Sequence, residues 1–439
     1  MLIEFTVGNF FSIKEPITLS MVAAKIRSEN SSIDENNTFA IEKKLSLLTS
    51  AAIYGANASG KSNVVKALRF MQWFVLKSSK ESLAGSAIET IPFRLDDASE
   101  SFPSHFEIVF YYEGVIYRYG FEVNRERVVA EWCFHSPKGK EARLFSRNED
   151  EIYTSRNFKG ATGLKELTRT NALFLSVATQ FNNETAIKIS EWFSRLIIIR
   201  GTNSSVITQG NSRMLLENTQ YQQLVKSLLR KADMGIDDLN AEKVTISSDS
   251  TVRFPDDMPQ EVRDYFLQRV KNDQDTIKVH TLHKVEADNG LVKEVVFDID
   301  EESDGTQKFF YLSGPIIESL LGPRVIVIDE IEARMHTLLT RQLVNLFNSN
   351  ESNTKHAQLV FTSHDTNLLD KRFLRRDQIW FIEKDNEGAS HLYSLAELKV
   401  RNDASFEDDY LHGKYGGLPI LGKLHEMFYF SQEDDCVQE

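Results

Sequence analysis

Cysteine and long apolar runs are scarce in this sequence, and negatively charged residues outnumber positively charged ones. Only two cysteines occur among 439 residues, Cys133 and Cys436, so neither a disulfide framework nor a cysteine-based zinc cluster is expected. No run approaches the ~20 apolar residues of a membrane-spanning helix, and residues 1–5 lack the basic region of a signal peptide. We therefore expect a protein of the reducing cytoplasm that has no membrane partner.

The formal net charge is −13, because 51 Lys and Arg residues face 64 Asp and Glu residues. A surface of that sign disfavours a protein that coats nucleic acid, although it leaves room for a local basic groove. The one dense basic cluster comprises Lys371, Arg372, Arg375 and Arg376. A solvated helix end explains this cluster as well as a DNA contact does. DNA is therefore a partner that the charge does not indicate.

The most informative stretch that is present is 55–62, which reads G-x-x-x-x-G-K-S. Backbone N–H groups of such a loop can cradle a polyphosphate, Lys61 would reach the β- and γ-phosphates, and the Ser62 hydroxyl would bind Mg²⁺. A buried strand is predicted before the loop at 47–54 and a helix after it, which is the order that anion binding needs. The predicted nucleotide-binding residues are Gly55, Asn57, Ala58, Ser59, Gly60, Lys61, Ser62 and Asn63.

A second feature supplies the partner that a phosphate loop requires for ATP chemistry. Four β-branched apolar residues at 325–328 predict a parallel strand buried on both faces, and Asp329 and Glu330 follow at its carboxyl end. Asp329 is suited to hold Mg²⁺, and Glu330 to polarise the attacking water as a general base. An acidic turn would be the ordinary explanation of an isolated Asp-Glu pair.

Two further elements occupy positions where they could act on the same ligand. The stretch 358–365 predicts another short apolar strand that ends in a polar turn, where His364 would reach a γ-phosphate or the attacking water from the same sheet edge. Ser303 reads as the N-cap of a helix, and Gly305 allows a close backbone approach at its start. Taken alone, the second element is an ordinary capped helix.

The segment between the two halves changes its periodicity along its length. Alternating residues at 105–112 and 115–123 predict an antiparallel β meander, whereas helical spacing dominates from about residue 163. Helices are predicted around Ile187, Tyr221 and Val262, and a polar break at 203–212. We therefore divide the chain into an N-terminal ATPase lobe (1–162), an inserted helical subdomain (163–275) and a C-terminal ATPase lobe (276–439).

These elements, in this order, resemble an ABC-type ATPase head of the SMC and RecF kind. The loop of that family commonly reads G-x-N-x-x-G-K-S-N, which 55–63 matches, and 303–305 resembles its S-G-G signature with Asp304 in place of the first glycine. The resemblance implies an α/β fold, a P-loop ABC-type head with an antiparallel β lobe and a short inserted helical subdomain. It also implies that heads dimerise head to tail, that Ser303 and Gly305 complete the partner copy's ATP site, and that His364 is the switch histidine.

A narrower resemblance extends over nearly the whole chain. Segments 8–15, 91–95, 329–332 and 401–419 resemble the stand-alone prokaryotic AAA/ABC ATPases related to RloA and the AbiL abortive-infection system. Members of that group are often encoded beside a nuclease or toxin and act in phage defence. The resemblance implies an ATP-hydrolysing homodimer, or a higher even-numbered oligomer, that controls such an effector. The alternatives are a RecF-like repair ATPase that clamps DNA directly and a scaffold that binds ATP without hydrolysing it.

Overall fold

The computed structural model describes residues 1–80, 83, 85–137, 139–200, 218–244, 276–286, 292–401 and 403–419. In chain order the strands are β1 (Leu2–Gly8), β2 (Ile17–Ser20), β3 (Thr38–Glu42), β4 (Leu45–Leu48), β5 (Ser50–Tyr54), β6 (Ser104–Tyr112), β7 (Val115–Val123), β8 (Val128–Ser136), β9 (Ala142–Asn148), β10 (Glu151–Thr154), β11 (Ile197–Ile199), β12 (Asp238–Val244), β13 (Thr276–Glu286), β14 (Val292–Asp298), β15 (Val325–Ile328), β16 (Gln358–Thr362), β17 (Ile379–Lys384) and β18 (Ser390–Ser394). The α-helices of the same residues are α1 (Ser31–Asn37), α2 (Lys61–Lys77), α3 (Phe174–Gln180), α4 (Glu184–Arg195), α5 (Thr219–Lys231), α6 (Asp304–Leu320), α7 (Thr337–Phe347) and α8 (Phe406–Leu411). The chain is thus a mixed α/β protein with several sheets.

A six-stranded sheet places the predicted site elements side by side. Its strand order is β11-β15-β16-β5-β17-β18, and all its pairs are parallel except β17 with β18. Every residue of β5, β15 and β16 is buried. Alternate side chains of β15 enter two different apolar cores, Val325 and Val327 one, Ile326 and Ile328 the other. The prediction of a parallel strand buried on both faces is therefore confirmed.

A seven-stranded antiparallel sheet covers one face of α2. Its order is β10-β9-β8-β7-β6-β1-β2, so the predicted meander is confirmed and the N-terminal strands extend it. Aromatic side chains join helix and sheet, since Phe70 lies 5.0 Å from Phe106 and Phe74 lies 5.5 Å from Phe121 between ring centroids. This packing holds α2, and with it the glycine loop, between two sheets.

The prediction of a single strand at 47–54 is wrong, because Thr49 separates two strands there. β4 pairs with β3 in a separate two-stranded sheet, whereas β5 enters the six-stranded sheet between β16 and β17. The Thr49 hydroxyl donates to Asn348 at 2.7 Å, and its N–H donates to the carbonyl of Asn37. Continuous apolar character cannot reveal such a change of sheet.

The stretch 163–275 is described only in part. The helices predicted around Ile187 and Tyr221 are confirmed as α4 and α5, whereas the break at 203–212 and the helix around Val262 lie outside the described residues. α3 and α4 pack on α2, β11 pairs with β15, and α5 packs on α6. The three-part division of the chain stays a prediction.

Across the described ranges, none of the helices combines the length and the apolar character that a bilayer crossing would need.

Candidate functional site

The glycine loop joins β5 to α2, and two of its glycines are required by close contacts. A Cβ atom at Gly55 would collide with the carbonyl oxygen of Ile382, and one at Gly60 with the hydroxyl of Ser390. Gly60 also has a φ of +114°, a conformation that side-chain-bearing residues rarely adopt. The sequence G-x-x-x-x-G therefore lets this loop pass between β17, β18 and the start of α2.

The loop leads directly into the uncapped start of α2. Gly60 is the N-cap residue and makes no side-chain capping bond, so the first N–H groups of the helix face the loop. Asn57 and Ala58 are exposed at the loop tip. Ser59 is buried, and its hydroxyl has no hydrogen-bond partner within the described ranges. The loop thus presents several donors together at a helix N-terminus, which suits an anion.

Lys61 folds back over the loop that precedes it. Its ammonium group donates to the carbonyl oxygens of Gly55 at 2.7 Å and Ala56 at 3.0 Å, and the residue is buried. Burial lowers the pKa of Lys61 to about 8, because desolvation penalises the charged form. The carboxylates of Glu332 and Glu330 act in the opposite direction. Lys61 is therefore a desolvated cation beside a row of acidic groups.

Asp329 lies at the centre of a hydrogen-bond network that joins three neighbouring strands. Its Oδ1 accepts from the Ser62 hydroxyl at 3.1 Å and from the Thr362 hydroxyl at 2.7 Å. The Thr362 hydroxyl also accepts from the backbone N–H of Glu330 at 2.8 Å. Because β16 runs between β5 and β15, its last residue lies between the glycine loop and the acidic pair. The structure thus brings the predicted Ser62 and Asp329 into direct contact.

Glu330 follows in a left-handed backbone conformation, with a φ of +53°. Such values are uncommon outside glycine and persist where the surroundings hold them. Here the N–H of Glu330 is held by Thr362, and its carbonyl oxygen accepts from the ammonium group of Lys308 at 2.9 Å. Both backbone groups of the predicted general base are therefore anchored.

His364 lies at the same carboxyl edge, directly after Thr362 and Ser363. Its backbone N–H donates to Glu332 at 2.7 Å, and its side chain is exposed. Desolvation of the ring and the positive charge of Lys61 lower the pKa of His364, while the carboxylates of Glu332 and Glu330 partly offset this. The neutral imidazole is thus favoured at neutral pH.

Ser303 and Gly305 lie at the start of α6. Ser303 caps α6, accepting from the N–H of Thr306 at 3.2 Å, and is itself exposed. A Cβ at Gly305 would lie 2.7 Å from the carbonyl oxygen of Arg334. The predicted capped helix is therefore confirmed, and it packs against the chain that follows Glu330.

Asn63 belongs to a contact that sequence reasoning missed. Its side chain donates to the Ser12 hydroxyl at 2.8 Å. The Ser390 hydroxyl lies 2.6 Å from the carbonyl oxygen of Ser59, to which it donates, and 2.7 Å from the Ser12 hydroxyl. The turn after β1 and the start of β18 therefore both brace the loop. Neither serine lies in a recognisable motif, so only the fold reveals them.

Thr362, Lys308 and Glu332 were also not assigned a role from the sequence. A clue for Thr362 existed, since polar residues that end neighbouring parallel strands meet at one sheet edge. No such clue existed for Lys308, because its contact with Glu330 depends on how α6 packs on the loop after β15.

The family model described as "AAA domain, putative AbiEii toxin, Type IV TA system" matches residues 50–370 of this chain. The match covers the glycine loop, the acidic strand and β16 with His364. No curated protein matches the sequence.

Proposed function

Because the chain belongs to this AAA-domain family, we propose that it is an ATPase with an ABC-type P-loop head that hydrolyses ATP to ADP and phosphate. The observation that carries the proposal is the convergence of Ser62 and Thr362 on Asp329, beside a loop that only glycine permits. A polyphosphate would find backbone donors, the N-terminus of α2 and the Lys61 cation on one side of this point. It would find acidic groups on the other.

The donor set fits a magnesium–nucleotide complex. The Ser62 hydroxyl and the Asp329 carboxylate are hard oxygen donors and already lie 3.1 Å apart. Mg²⁺, when bound, would neutralise charge on the phosphate oxygens. The ligands of the metal would be Ser62 and Asp329, the latter through water.

The remaining roles fall to side chains of the same sheet edge. Lys61 pairs with the phosphates, and the loop residues from Gly55 to Asn63 bind them through backbone groups. Glu330 accepts a proton from the attacking water. The contacts of its backbone N–H and carbonyl oxygen hold this base in position. His364, as a neutral imidazole, contacts the γ-phosphate or the attacking water.

Three proteins would test this assignment: the wild-type chain and the variants Glu330→Gln and Lys61→Ala. The wild-type chain should release phosphate from ATP. Glu330→Gln should bind ATP normally yet turn over about 10²- to 10⁴-fold more slowly, as expected for loss of a general base. Lys61→Ala should lose nucleotide affinity with the loss of a phosphate-paired charge. Free turnover by Glu330→Gln would remove Glu330 from its role.

The dimer belongs to the same proposal. Ser303 is exposed and Gly305 contacts Arg334 rather than its own glycine loop, which supports their action on the nucleotide of a second copy. An isologous pair of heads would then hold two composite sites. ATP drives this pairing only if it binds the closed dimer more tightly than the open one.

A matched pair of serine variants tests that arrangement. Ser303 and Ser405 both cap helices, Ser405 by accepting from the N–H of Asp408 at 3.3 Å. Ser303→Ala should abolish ATP-dependent dimerisation of the Glu330→Gln protein in light scattering, whereas Ser405→Ala should not. Equal ATP-dependent dimerisation of the two variants would contradict a role of Ser303 at the ATP site of the second copy.

The partner is proposed from the description of the family, which names a toxin system. We infer that closure of the dimer controls a protein effector, a nuclease or toxin encoded nearby, in defence against phage. Phage plating on cells that carry the native locus should rise when Lys61 is changed to Ala. Unchanged plating, together with a pull-down that retains no second protein, would contradict this.

A direct DNA clamp is less well supported. Each member of the basic cluster is engaged within the chain: Arg375 pairs with Asp34 and Asp377, Arg372 with Asp370, and Lys371 with Glu29, while Arg376 donates to the carbonyl oxygen of Val400. DNA binding that falls steeply with salt would favour the RecF-like alternative.

A further inference from the structure

Lys308 lies in the first turns of α6 and reaches the backbone of Glu330. Its ammonium group donates to the carbonyl oxygen of Glu330 at 2.9 Å. The pKa of Lys308 is lowered to about 8, mainly by desolvation, which marks a cation withdrawn from water. A lysine in this position costs solvation energy, so its contact with Glu330 calls for an explanation.

Glu332 contacts the turn that carries His364. Its Oε1 accepts the His364 N–H at 2.7 Å, and its buried Oε2 has no hydrogen-bond partner in the part of the chain that the structure describes. Its charge is the largest electrostatic influence that favours the protonated forms of both Lys61 and Lys308. Glu332 is therefore an acidic neighbour of both desolvated lysines, and its direct bond is to the backbone of His364.

A second link ties α6 to the same loop. Arg334 pairs with Asp304 at 3.2 Å, and its carbonyl oxygen lies against Gly305. Arg334 has a φ of +63°, so the loop contains left-handed non-glycine residues at both 330 and 334. Local strain of this kind persists only when contacts over-determine the backbone. Displacement of α6 would therefore displace Glu330.

We propose that Lys308 and Glu332 are positioning residues for ATP hydrolysis, Lys308 by fixing the Glu330 backbone to α6 and Glu332 by fixing the turn that carries His364. This inference rests on the proposed function. In a head-to-tail dimer the start of α6 contacts the nucleotide of the other copy, whereas Lys308 contacts Glu330 of its own. The same helix then makes the geometry of one site depend on engagement of the other.

The test separates binding from turnover in single variants. Lys308→Met removes the charge and keeps the length, whereas Lys308→Arg keeps the charge. Glu332→Ala removes the acceptor of the His364 N–H, whereas Glu332→Gln keeps an acceptor. Lys188, which is half exposed and pairs with Glu113 on the surface, supplies the control Lys188→Met. Lys308→Met and Glu332→Ala should lower kcat about 10- to 100-fold, as expected for a misplaced catalytic group, with an unchanged Kd for ATP. Glu332→Gln should retain most of kcat. Lys308→Arg should restore part of kcat, and Lys188→Met should match the wild type.

A double variant adds a readout that general destabilisation would not produce. If the two residues hold one arrangement, Lys308→Met with Glu332→Ala should reduce kcat by less than the product of the single effects. Wild-type kcat in Lys308→Met, or a Kd for ATP that weakens as much as kcat falls, would overturn the positioning role. If Lys308→Met does not fold, a normal kcat in Glu332→Ala overturns it instead.

Different results would contradict the proposed function and the positioning role. A wild-type chain that releases no phosphate contradicts the proposed function, and the positioning role with it. An active wild type with equally active Lys308 and Glu332 variants contradicts the positioning role alone.

Discussion

Thr362→Val is the perturbation whose cost can best be worked out from the contacts. Thr362 is fully buried, donates to Asp329 at 2.7 Å and accepts from the N–H of Glu330 at 2.8 Å. Valine keeps the shape and removes both bonds. Loss of the bond to a carboxylate costs about 1.5–3 kcal/mol, and an unpaired buried N–H about 1–3 kcal/mol. The added methyl group offsets about 0.8 kcal/mol. We therefore expect a loss of about 2–5 kcal/mol in the free energy of unfolding.

The same substitution should also reduce turnover, because it releases the N–H of Glu330. Urea denaturation measures the stability, and phosphate release at saturating ATP measures kcat. The chain offers a matched control in Thr340, which is equally buried but whose hydroxyl has no hydrogen-bond partner among the described residues. Thr340→Val should leave stability unchanged or raise it, and Thr362→Ser should behave nearly as wild type. Equal stability and kcat in Thr362→Val and Thr340→Val would refute the reasoning.

Burial lowers the pKa of Lys61 to about 8 and a bound polyphosphate should raise it again, so ATP affinity should fall as pH rises above about 8. Calorimetry in buffers of different ionisation enthalpy would detect the proton taken up on binding; its absence would contradict the shift. Glu131 is fully buried and accepts from the Tyr119 hydroxyl at 3.0 Å and from two N–H groups at the start of α3. Glu131→Ala should destabilise the fold by about 3–5 kcal/mol in urea denaturation, since these donors lose their partner, and a change below 1 kcal/mol would argue against that network. Gly60→Ala should abolish ATP binding in a fluorescent-nucleotide assay, whereas Gly114→Ala, at a turn with a φ of +81° in open space, should not.

Periodicity predicted the local elements well where one pattern held. Alternation identified β6 and β7 of the meander, and the run 325–328 identified a doubly buried parallel strand. It failed at Thr49, where an unbroken apolar stretch passes from one sheet to another. A side-chain pattern reports which residues are buried, and not which strand will pair with them.

The sequence by itself determined the chemistry available to this protein. A glycine loop with Lys61 and Ser62, and an apolar strand ending in Asp329 and Glu330, are local patterns whose spacing can be read directly. The tertiary structure alone decided which groups surround them. Thr362 bonds to both Asp329 and Glu330 because β16 lies beside β15, and Lys308 reaches Glu330 because α6 packs on the loop after β15. Such contacts depend on strand order and helix packing, which arise from the whole core rather than from any one segment.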